Sequence, residues 1–483
     1  MPIWALWILG IIAAGLATGW LARRAIRRWA QRTLFEFRAR LDRYKLVESG
    51  RVRSALLADA RVIEAIAEAA ARHGLPRARV ERQVAEYIDE IVPFFNVLSY
   101  YKIGFRLSKL LTRLFYHASV EYQDHDGLNK IPRRDVVLYL MNHRSNMDYV
   151  VVTYVLAQVV SISYAVGEWA RTWPLEYIFK SFGSYFIRRK FREPLYHRVL
   201  ERYIQLITRH RVTQGIFPEG GLSRDGRLGP AKIGLLDYLV GTLGDPAFDG
   251  DIWLVPVALN YDRVLEDQTL TRELIVGGPR PSRLGQVWGW VSFAAWNVIQ
   301  LLAGRRHRYG RVAVNFGSPL SARDWLAKTG LDVPSLPRPD RLPQIQRLAD
   351  EVMARVGAIV PVTPVPLVSM ALLSFPAHVV PKDRVLERVG ELRDRLRAVN
   401  AKVVRSELGL EAVWDRAWRT FRARRMVVDQ GEAIVILPNA RPLLQYYANS
   451  IGHLVEPDLD WELTPAAGDD PTTPRLKSPR PSA

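Results

Sequence analysis

The sequence predicts an α/β fold: a central, mostly parallel or mixed sheet flanked by helices, with an amino-terminal transmembrane helix and added helical segments. Three observations predict it. Short apolar runs alternate with helical stretches through the middle of the chain, each run ends in a polar or glycine-rich cluster, and an uncharged run of twenty residues, Ile3 to Ala22, stands near the start. The 483 residues are 48% hydrophobic and 24% charged, which excludes disorder over most of the length. The absence of cysteine excludes disulfides, thiolate metal sites and cysteine nucleophiles together. A formal net charge of +19 suits an anionic partner: nucleic acid, lipid headgroups or a phosphorylated substrate.

As a helix, IWALWILGIIAAGLATGWLA spans roughly 30 Å, the thickness of a hydrocarbon core. A cleaved signal peptide is the alternative. Against it, no Lys or Arg precedes the run, and the run exceeds the ~7–15 apolar residues of a signal core. The basic flank Arg23 to Arg32 places the rest of the chain in the cytoplasm by the positive-inside rule. Residues 1–29 are therefore expected to be a single-span anchor with its basic flank.

Residues 30–119 read as a helical region. ALLADARVIEAIAEAAARHG is rich in Ala and Glu and is expected to stop at Gly74, just before Pro76. From Tyr100 to Phe115, Lys102, Arg106, Lys109 and Arg113 recur at helical spacing beside Ile103, Leu107, Leu110, Leu111 and Leu114. That pattern fits a helix in the headgroup plane of a membrane or an amphipathic helix docked on its own domain. Residues 120–330 carry the α/β pattern. VVLYLM (Val136 to Met141), SYFIRR, GIFPEGG, DIWLVPVALN and RVAVNFGSPL read as strands, with helices such as Pro194 to His210 between them. Val287 to Ala303 is slightly short for a span and reads as either an interfacial or re-entrant helix or a buried one. Prolines 334, 337 and 339 separate this domain from a mostly helical region, 331–456, and residues 457–483 form a polar, proline-rich tail expected to be disordered.

The candidate chemistry lies at the strand ends. Asn142-His143-Arg144-Ser145-Asn146-Met147-Asp148-Tyr149 follows the first strand, and a helix is expected from Val150. Histidine suits removal of a proton from a hydroxyl near neutral pH, and a fixed carboxylate orients the ring and stabilises the imidazolium. His143 and Asp148 are the candidate dyad. With nine His in the chain, the spacing alone arises by chance about 0.5 times, so the neighbouring blocks decide. Gly183 to Arg189 sets Arg188 and Arg189 past an apolar strand; Phe217 to Arg224 supplies Glu219, Gly220, Gly221, Ser223 and Arg224; Arg227 and Lys232 add charge; Val255-Pro256-Val257 is expected to close a fourth strand. Together these place a base, a carboxylate, a glycine turn and several cations at successive strand ends.

The blocks NHRSNMDY, GSYFIRRK, FPEGGLSRDGRLGPAK and LVPVALNYDRV, in that order, resemble the four motifs of glycerolipid acyltransferases. FIRR and EGG-x-SR-x-GR are similar to the bacterial and mitochondrial glycerol-3-phosphate acyltransferase branch. The likeness runs from about residue 90 through RVAVNFGSPL to RPLLQYYANSIGHLVE (Arg441 to Glu456). It implies the glycerolipid acyltransferase fold and transfer of a fatty acyl group from acyl-CoA or acyl-carrier protein to the sn-1 hydroxyl of glycerol 3-phosphate. In that reading His143 is the general base, Asp148 its orienting partner, and no acyl-enzyme forms. Arg188, Arg224 and Lys232 hold the phosphate, Arg144 and Arg189 assist, and Glu219, Gly220, Gly221 and Ser223 shape the acceptor site. No metal or cofactor is expected beyond the acyl donor itself. The expected partners are the phospholipid bilayer, glycerol 3-phosphate and the donor, without nucleic acid, and the expected location is a cell (inner) membrane with the catalytic domain facing the cytoplasm. Family members usually carry Arg where this chain has Leu222, which keeps 1-acylglycerol 3-phosphate or dihydroxyacetone phosphate open as the acceptor. A membrane-tethered basic binding protein is the non-enzymatic alternative, but it leaves the strand-end residues without a role.

Overall fold

The computed structural model describes residues 49–94, 104–156, 162–167, 171, 175–188, 191–276 and 309–455. The expected amino-terminal span, the run 287–303, Arg189 and the tail 457–483 lie outside them. Among the described residues no helix is long and apolar enough to cross a membrane.

The apolar runs become strands: β1 (His117–Tyr122), β2 (Val136–Met141), β3 (Ser163–Gly167), β4 (Tyr185–Ile187), β5 (Gln214–Ile216), β6 (Ile252–Tyr261), β7 (Arg311–Phe316) and β8 (Leu320–Ser321). Among the described residues they form one eight-stranded sheet in the order β1-β7-β6-β2-β5-β3-β4, with β8 also on β6. β6, β2, β5, β3 and β4 are parallel, β7 and β8 pair antiparallel with β6, and β1 is parallel to β7. The sheet is mixed. β2 is buried at every position, as a parallel strand covered on both faces must be. Because the five parallel strands point the same way, the segments leaving β2, β5, β4 and β6 emerge along one edge. Around β2 the order reverses: β3 and β4 lie to one side and β6 to the other. A crevice at strand carboxyl ends is expected at such a reversal.

Two expectations change here. Val255-Pro256-Val257 does not close β6; the strand continues to Tyr261. Pro256 is tolerated inside it because β6 exchanges partners there: β8 pairs with Trp253 and Leu254, β7 with Val257 onward. The Pro256 carbonyl still accepts from Gly317 N at 2.8 Å, so only a donor is missing at the gap. The helix after β2 begins at Met147 rather than Val150, which puts Asp148 in its first turn.

The chain divides into two units. The first contains residues 1–223, 228–266 and 277–361. Its core joins the sheet to the amino-terminal helices. Val62 and Ile66 of helix Ala60–His73 and Val80, Val84 and Ile88 of helix Arg77–Ile91 are buried with Val136, Leu138 and Leu140 of β2. Asp59 caps the first of these helices, and Gly74, at φ 62°, ends it where the sequence placed its stop. Helix Arg338–Ala358 adds Ile345, Leu348 and Val352 to the same core. The division therefore falls at residue 361, not near 330, and the helices between residues 49 and 91 share the core of the sheet.

The second unit contains residues 224–227, 267–276 and 362–483. Helix Pro364–Leu373 is buried at all of its positions, so it serves as a central core element. Helices Lys382–Ala398, Leu410–Arg424 and Arg441–Gly452 pack on it. A three-stranded antiparallel sheet of β9 (Val379–Pro381), β10 (Val427–Asp429) and β11 (Ala433–Ile436) accompanies them in a region expected to be mostly helical. Within this unit Gly226, at φ 91°, lies against helix Arg441–Gly452, and Asn449 Nδ2 donates to the Asp225 carbonyl at 2.8 Å. A Cβ on Gly226 would meet the Tyr446 carbonyl oxygen at 1.9 Å. Gly226→Ala is accordingly expected to cost at least about 2 kcal/mol locally through combined φ strain and backbone clash. Hydrogen exchange in helix Arg441–Gly452 should accelerate, and wild-type protection there would contradict this account.

Candidate active site

The turn leaving β2 sets a problem in backbone hydrogen bonding. Residues 143–148 belong to neither a strand ladder nor the interior of a helix, yet most of them are buried, so their N–H groups need local acceptors. Each has one. His143 N donates to Glu219 Oε1 at 2.9 Å, and Arg144 N and Ser145 N donate to Asp148 Oδ2 at 2.7 and 3.0 Å. Asn146 N donates to Glu266 Oε1 at 3.2 Å, Met147 N to Ser145 Oγ at 3.1 Å, and Asp148 N to the Ser145 carbonyl at 2.9 Å. Just before the turn, Asn142 substitutes for a peptide unit: its side chain donates to the Leu259 carbonyl and accepts from Leu259 N, at 3.0 and 2.8 Å.

This cage brings the predicted dyad together. His143 Nδ1 donates to Asp148 Oδ2 at 2.9 Å, with both side chains nearly inaccessible, 2% and 0% exposed. Tyr261 Oη donates to the other carboxylate oxygen, Oδ1, at 2.5 Å. Four donors thus converge on Asp148, and the bond to Nδ1 assigns the accepting role of a neutral ring to Nε2. The ring stacks on Phe217 at 4.2 Å and meets the edge of Tyr149 at 5.5 Å. Burial excludes water from the pair and leaves its attraction less screened than at the surface.

The glycine turn after β5 holds the same residue from the other side. Gly220, at φ 67°, closes the turn through its N–H to the Phe217 carbonyl at 2.9 Å. Glu219 links His143 N to Gly229 N, each at 2.9 Å, and Ser223 N donates to the His143 carbonyl at 2.9 Å. Burial raises the Glu219 carboxyl to about 7, against the two N–H bonds and the Arg144 charge that pull it down. Glu266, which also accepts from Ser145 Oγ at 2.7 Å, is likewise raised to about 7 by burial.

The predicted cations separate. Arg144 is buried within the turn. Lys232 is exposed, with its stem over Gly220, where a Cβ would lie 2.7 Å from Lys232 Cδ. Arg188 departs from the expected phosphate set: its Nε donates to Glu90 Oε1 at 2.8 Å and its Nη2 to Oε2 at 2.5 Å, while Arg171 Nη1 reaches the same carboxylate at 2.8 Å. The guanidinium also lies over the Phe191 ring at 4.7 Å. A bidentate pair among aromatic rings is a structural clamp between β4 and helix Arg77–Ile91. Glu90 precedes Arg188 by 98 residues, so no sequence spacing could have signalled it. Arg224 is exposed and belongs to the second unit.

Tyr261, Glu266 and Asn142 were not among the residues singled out for a role. Tyr261 lies within the fourth block and ends β6, and its presence in that block was the available signal. Glu266 gave none, because its contact with the turn depends on how the chain leaves β6.

Two outcomes follow. Tyr261→Phe removes a buried donor from a charged acceptor and should cost about 1.5–3 kcal/mol, read as a lowered urea midpoint; an unchanged midpoint would remove Tyr261 from the cage. Glu219 and Glu266 hold protons more tightly in the folded than in the unfolded state, where a carboxyl titrates near 4.5. Their contribution to stability therefore falls as pH rises from about 4.5 to about 7 and is level above that. The stability difference between wild type and Glu219→Gln, followed across this range, should decline with pH; a flat difference would mean that burial does not perturb Glu219.

Residues 124–260 match the Acyltransferase family model, and residues 295–457 match that of the glycerol-3-phosphate acyltransferase C-terminal region. A glycerol-3-phosphate acyltransferase of Aeromonas hydrophila is 29% identical over 82% of this chain and 49% of its own length. One from Pseudoalteromonas atlantica is 26% identical over 85% of this chain and 50% of its own. The chain thus spans about half the length of these curated relatives. A solved 1-acyl-sn-glycerophosphate acyltransferase from Thermotoga maritima aligns over 53% of this chain and 79% of its own, at 18% identity and a TM-score of 0.31. Motif order and these matches make the chain similar to the glycerol-3-phosphate acyltransferases, through an acyltransferase-like stretch at 124–260 and a likeness to their C-terminal region at 295–457.

Proposed function

We propose that the chain transfers a fatty acyl group from acyl-CoA or acyl-carrier protein to the sn-1 hydroxyl of glycerol 3-phosphate, at a membrane and on its cytoplasmic side. The observation that carries the reading is the 2.9 Å bond from His143 Nδ1 to Asp148 within the first of the two matched regions. It leaves Nε2 as the nitrogen that takes the hydroxyl proton. The hydroxyl oxygen attacks the thioester carbonyl carbon, the tetrahedral intermediate expels the thiolate, and the imidazolium returns the proton to sulfur. Ester and thiol are the products; Asp148 keeps its bond to Nδ1 and braces the ring throughout. Arg144, Lys232 and Arg224 are the cations proposed for the acceptor phosphate, and the acyl donor is the only cofactor-like molecule required. The Ile3 to Ala22 run with its basic flank supports the inner-membrane location.

Leu222, at a position the resemblance associates with phosphate-binding Arg, favours testing a second acceptor class, 1-acylglycerol 3-phosphate or dihydroxyacetone phosphate. Membranes containing the full chain, assayed with each acceptor and each donor, separate the readings. Acylation of glycerol 3-phosphate should dominate. His143→Ala should lower turnover by ~10²–10⁴-fold with binding largely retained, and Asp148→Asn should lower it by a smaller factor. Wild-type turnover from His143→Ala would end the assignment.

A further inference from the structure

A half-open cavity of about 550 Å³ lies within the first unit. Its walls come from helices Ala60–His73, Pro194–Arg209 and Arg338–Ala358, with the short turns Gly241–Gly244 and Val333–Ser335. Helix Pro194–Arg209 leads into the start of β5, and the Gly241–Gly244 turn leads into the start of β6. The cavity therefore belongs to the sheet edge opposite the one that carries His143. Its volume falls within the roughly 300–1,000 Å³ of small-molecule sites, most of which are lined by apolar groups. This one is lined almost entirely by polar groups, among them Arg61, Arg202, Gln205, Thr242, Ser335 and Arg341.

Two guanidiniums in the walls are held from behind. Arg202 Nε donates to both Asp59 oxygens at 3.0 and 2.9 Å, its Nη2 donates to Asp59 Oδ2 at 2.7 Å, and its Nη1 donates to Gln205 Oε1. Arg341 Nε donates to Asp237 Oδ1 at 2.7 Å. The two side chains are only 17% and 15% exposed, so their orientation is set before any ligand arrives. Arg61, at the rim, has no ion pair among the described residues. Other bonds made by the lining groups are long. Gln205 Nε2 to Glu201, Thr242 Oγ1 to the Tyr238 carbonyl and Arg341 Nη1 to the Leu336 carbonyl are each 3.4 Å, which leaves these donors weakly satisfied. The rim carboxylates Glu201 and Asp245 are met by Arg198 and Arg209 at 2.8 and 3.1 Å. With Arg338 beside Asp237, six guanidiniums face four carboxylates, and the excess charge is positive.

We propose that this cavity binds a phosphorylated small molecule of sugar-phosphate size with at least two negative charges, at a site separate from the dyad. Oriented, partly desolvated guanidiniums match phosphate oxygens, while the Gln205 amide and the Thr242 and Ser335 hydroxyls match a polar carbon skeleton. An apolar ligand finds no complement in these walls, and a macromolecule does not fit the volume. An occupant ties helix Pro194–Arg209 to the turn before β6. Those two elements enter the strands whose far ends lead to Glu219 and carry Tyr261. The inference stands independently of the acyl-transfer reading.

The chain contains no cysteine, so a single introduced thiol reports locally on the full-length protein. Ser335→Cys places it in the cavity wall; Leu331→Cys, at an exposed position, is the reference. Alkylation by uncharged N-ethylmaleimide is followed in millimolar fructose 1,6-bisphosphate, in pyrophosphate, and in sodium chloride of equal ionic strength. The sugar bisphosphate should slow reaction at 335 several-fold, leave 331 unchanged, and protect at lower concentration than pyrophosphate does. Arg61→Gln, which breaks no ion pair, should raise the half-protecting concentration about tenfold. Phosphate bound at the dyad does not produce this signal, because the thiol reads only its own surroundings. Absence of protection at 335, equal slowing at 331 or in chloride, or an unchanged response in Arg61→Gln overturns the site. Tighter protection by pyrophosphate than by the sugar bisphosphate overturns the organic ligand in favour of free phosphate.

Discussion

The site depends on one constraint: six consecutive backbone N–H groups leave a buried parallel strand and must find acceptors before the next helix can supply them. Three carboxylates from separate parts of the chain take four of these donors. Asp148 comes from within the turn, Glu219 from the turn after β5, and Glu266 from beyond β6. The imidazole of His143 occupies a defined position because the peptide carrying it is held at its N–H by Glu219 and at its carbonyl by Ser223. The dyad is one bond in a network that exists first to satisfy main-chain polarity.

That origin explains why the carboxylates differ electrostatically although all three accept N–H bonds. Asp148 receives four donors, one of them the histidine ring. Glu219 and Glu266 are placed where burial outweighs their hydrogen bonds, and both rise to about 7. Near neutral pH the two outer carboxylates are therefore the responsive members of the cage, acting on the backbone around the dyad. Arg188 illustrates the converse. Its charge is met by Glu90 and by aromatic rings, so it secures β4 to a core helix, whereas the exposed Lys232 stem lies beside the Gly220 turn.

Much of the fold could be read directly. The buried run Val136 to Met141, the glycine stop at Gly74, the proline start at Pro194 and the α/β alternation all express local rules: side-chain periodicity, permitted φ and capping. β1 and β3 were missed because neither is set off by a glycine-rich cluster. β9, β10 and β11 were missed because runs of three or four residues are too short to show alternation. The boundary near 330 was misplaced because prolines mark a change of direction, whereas a unit is delimited by shared burial, and Ile345, Leu348 and Val352 are buried with the sheet.

For this protein the sequence by itself determined the residue types and their order: a histidine and a carboxylate five positions apart after a buried strand, a glycine turn after the next, and cations around both. Those are local properties, fixed by spacing along a single segment. Only the tertiary structure decided that Tyr261 completes the acceptor shell of Asp148, that Glu219 and Glu266 hold the turn, and that Glu90 claims Arg188. Such pairings span from about 75 to more than 110 residues of chain. They arise because parallel strands, adjacent in the sheet but distant in sequence, deliver their ends to one edge, where every buried donor must find the nearest acceptor.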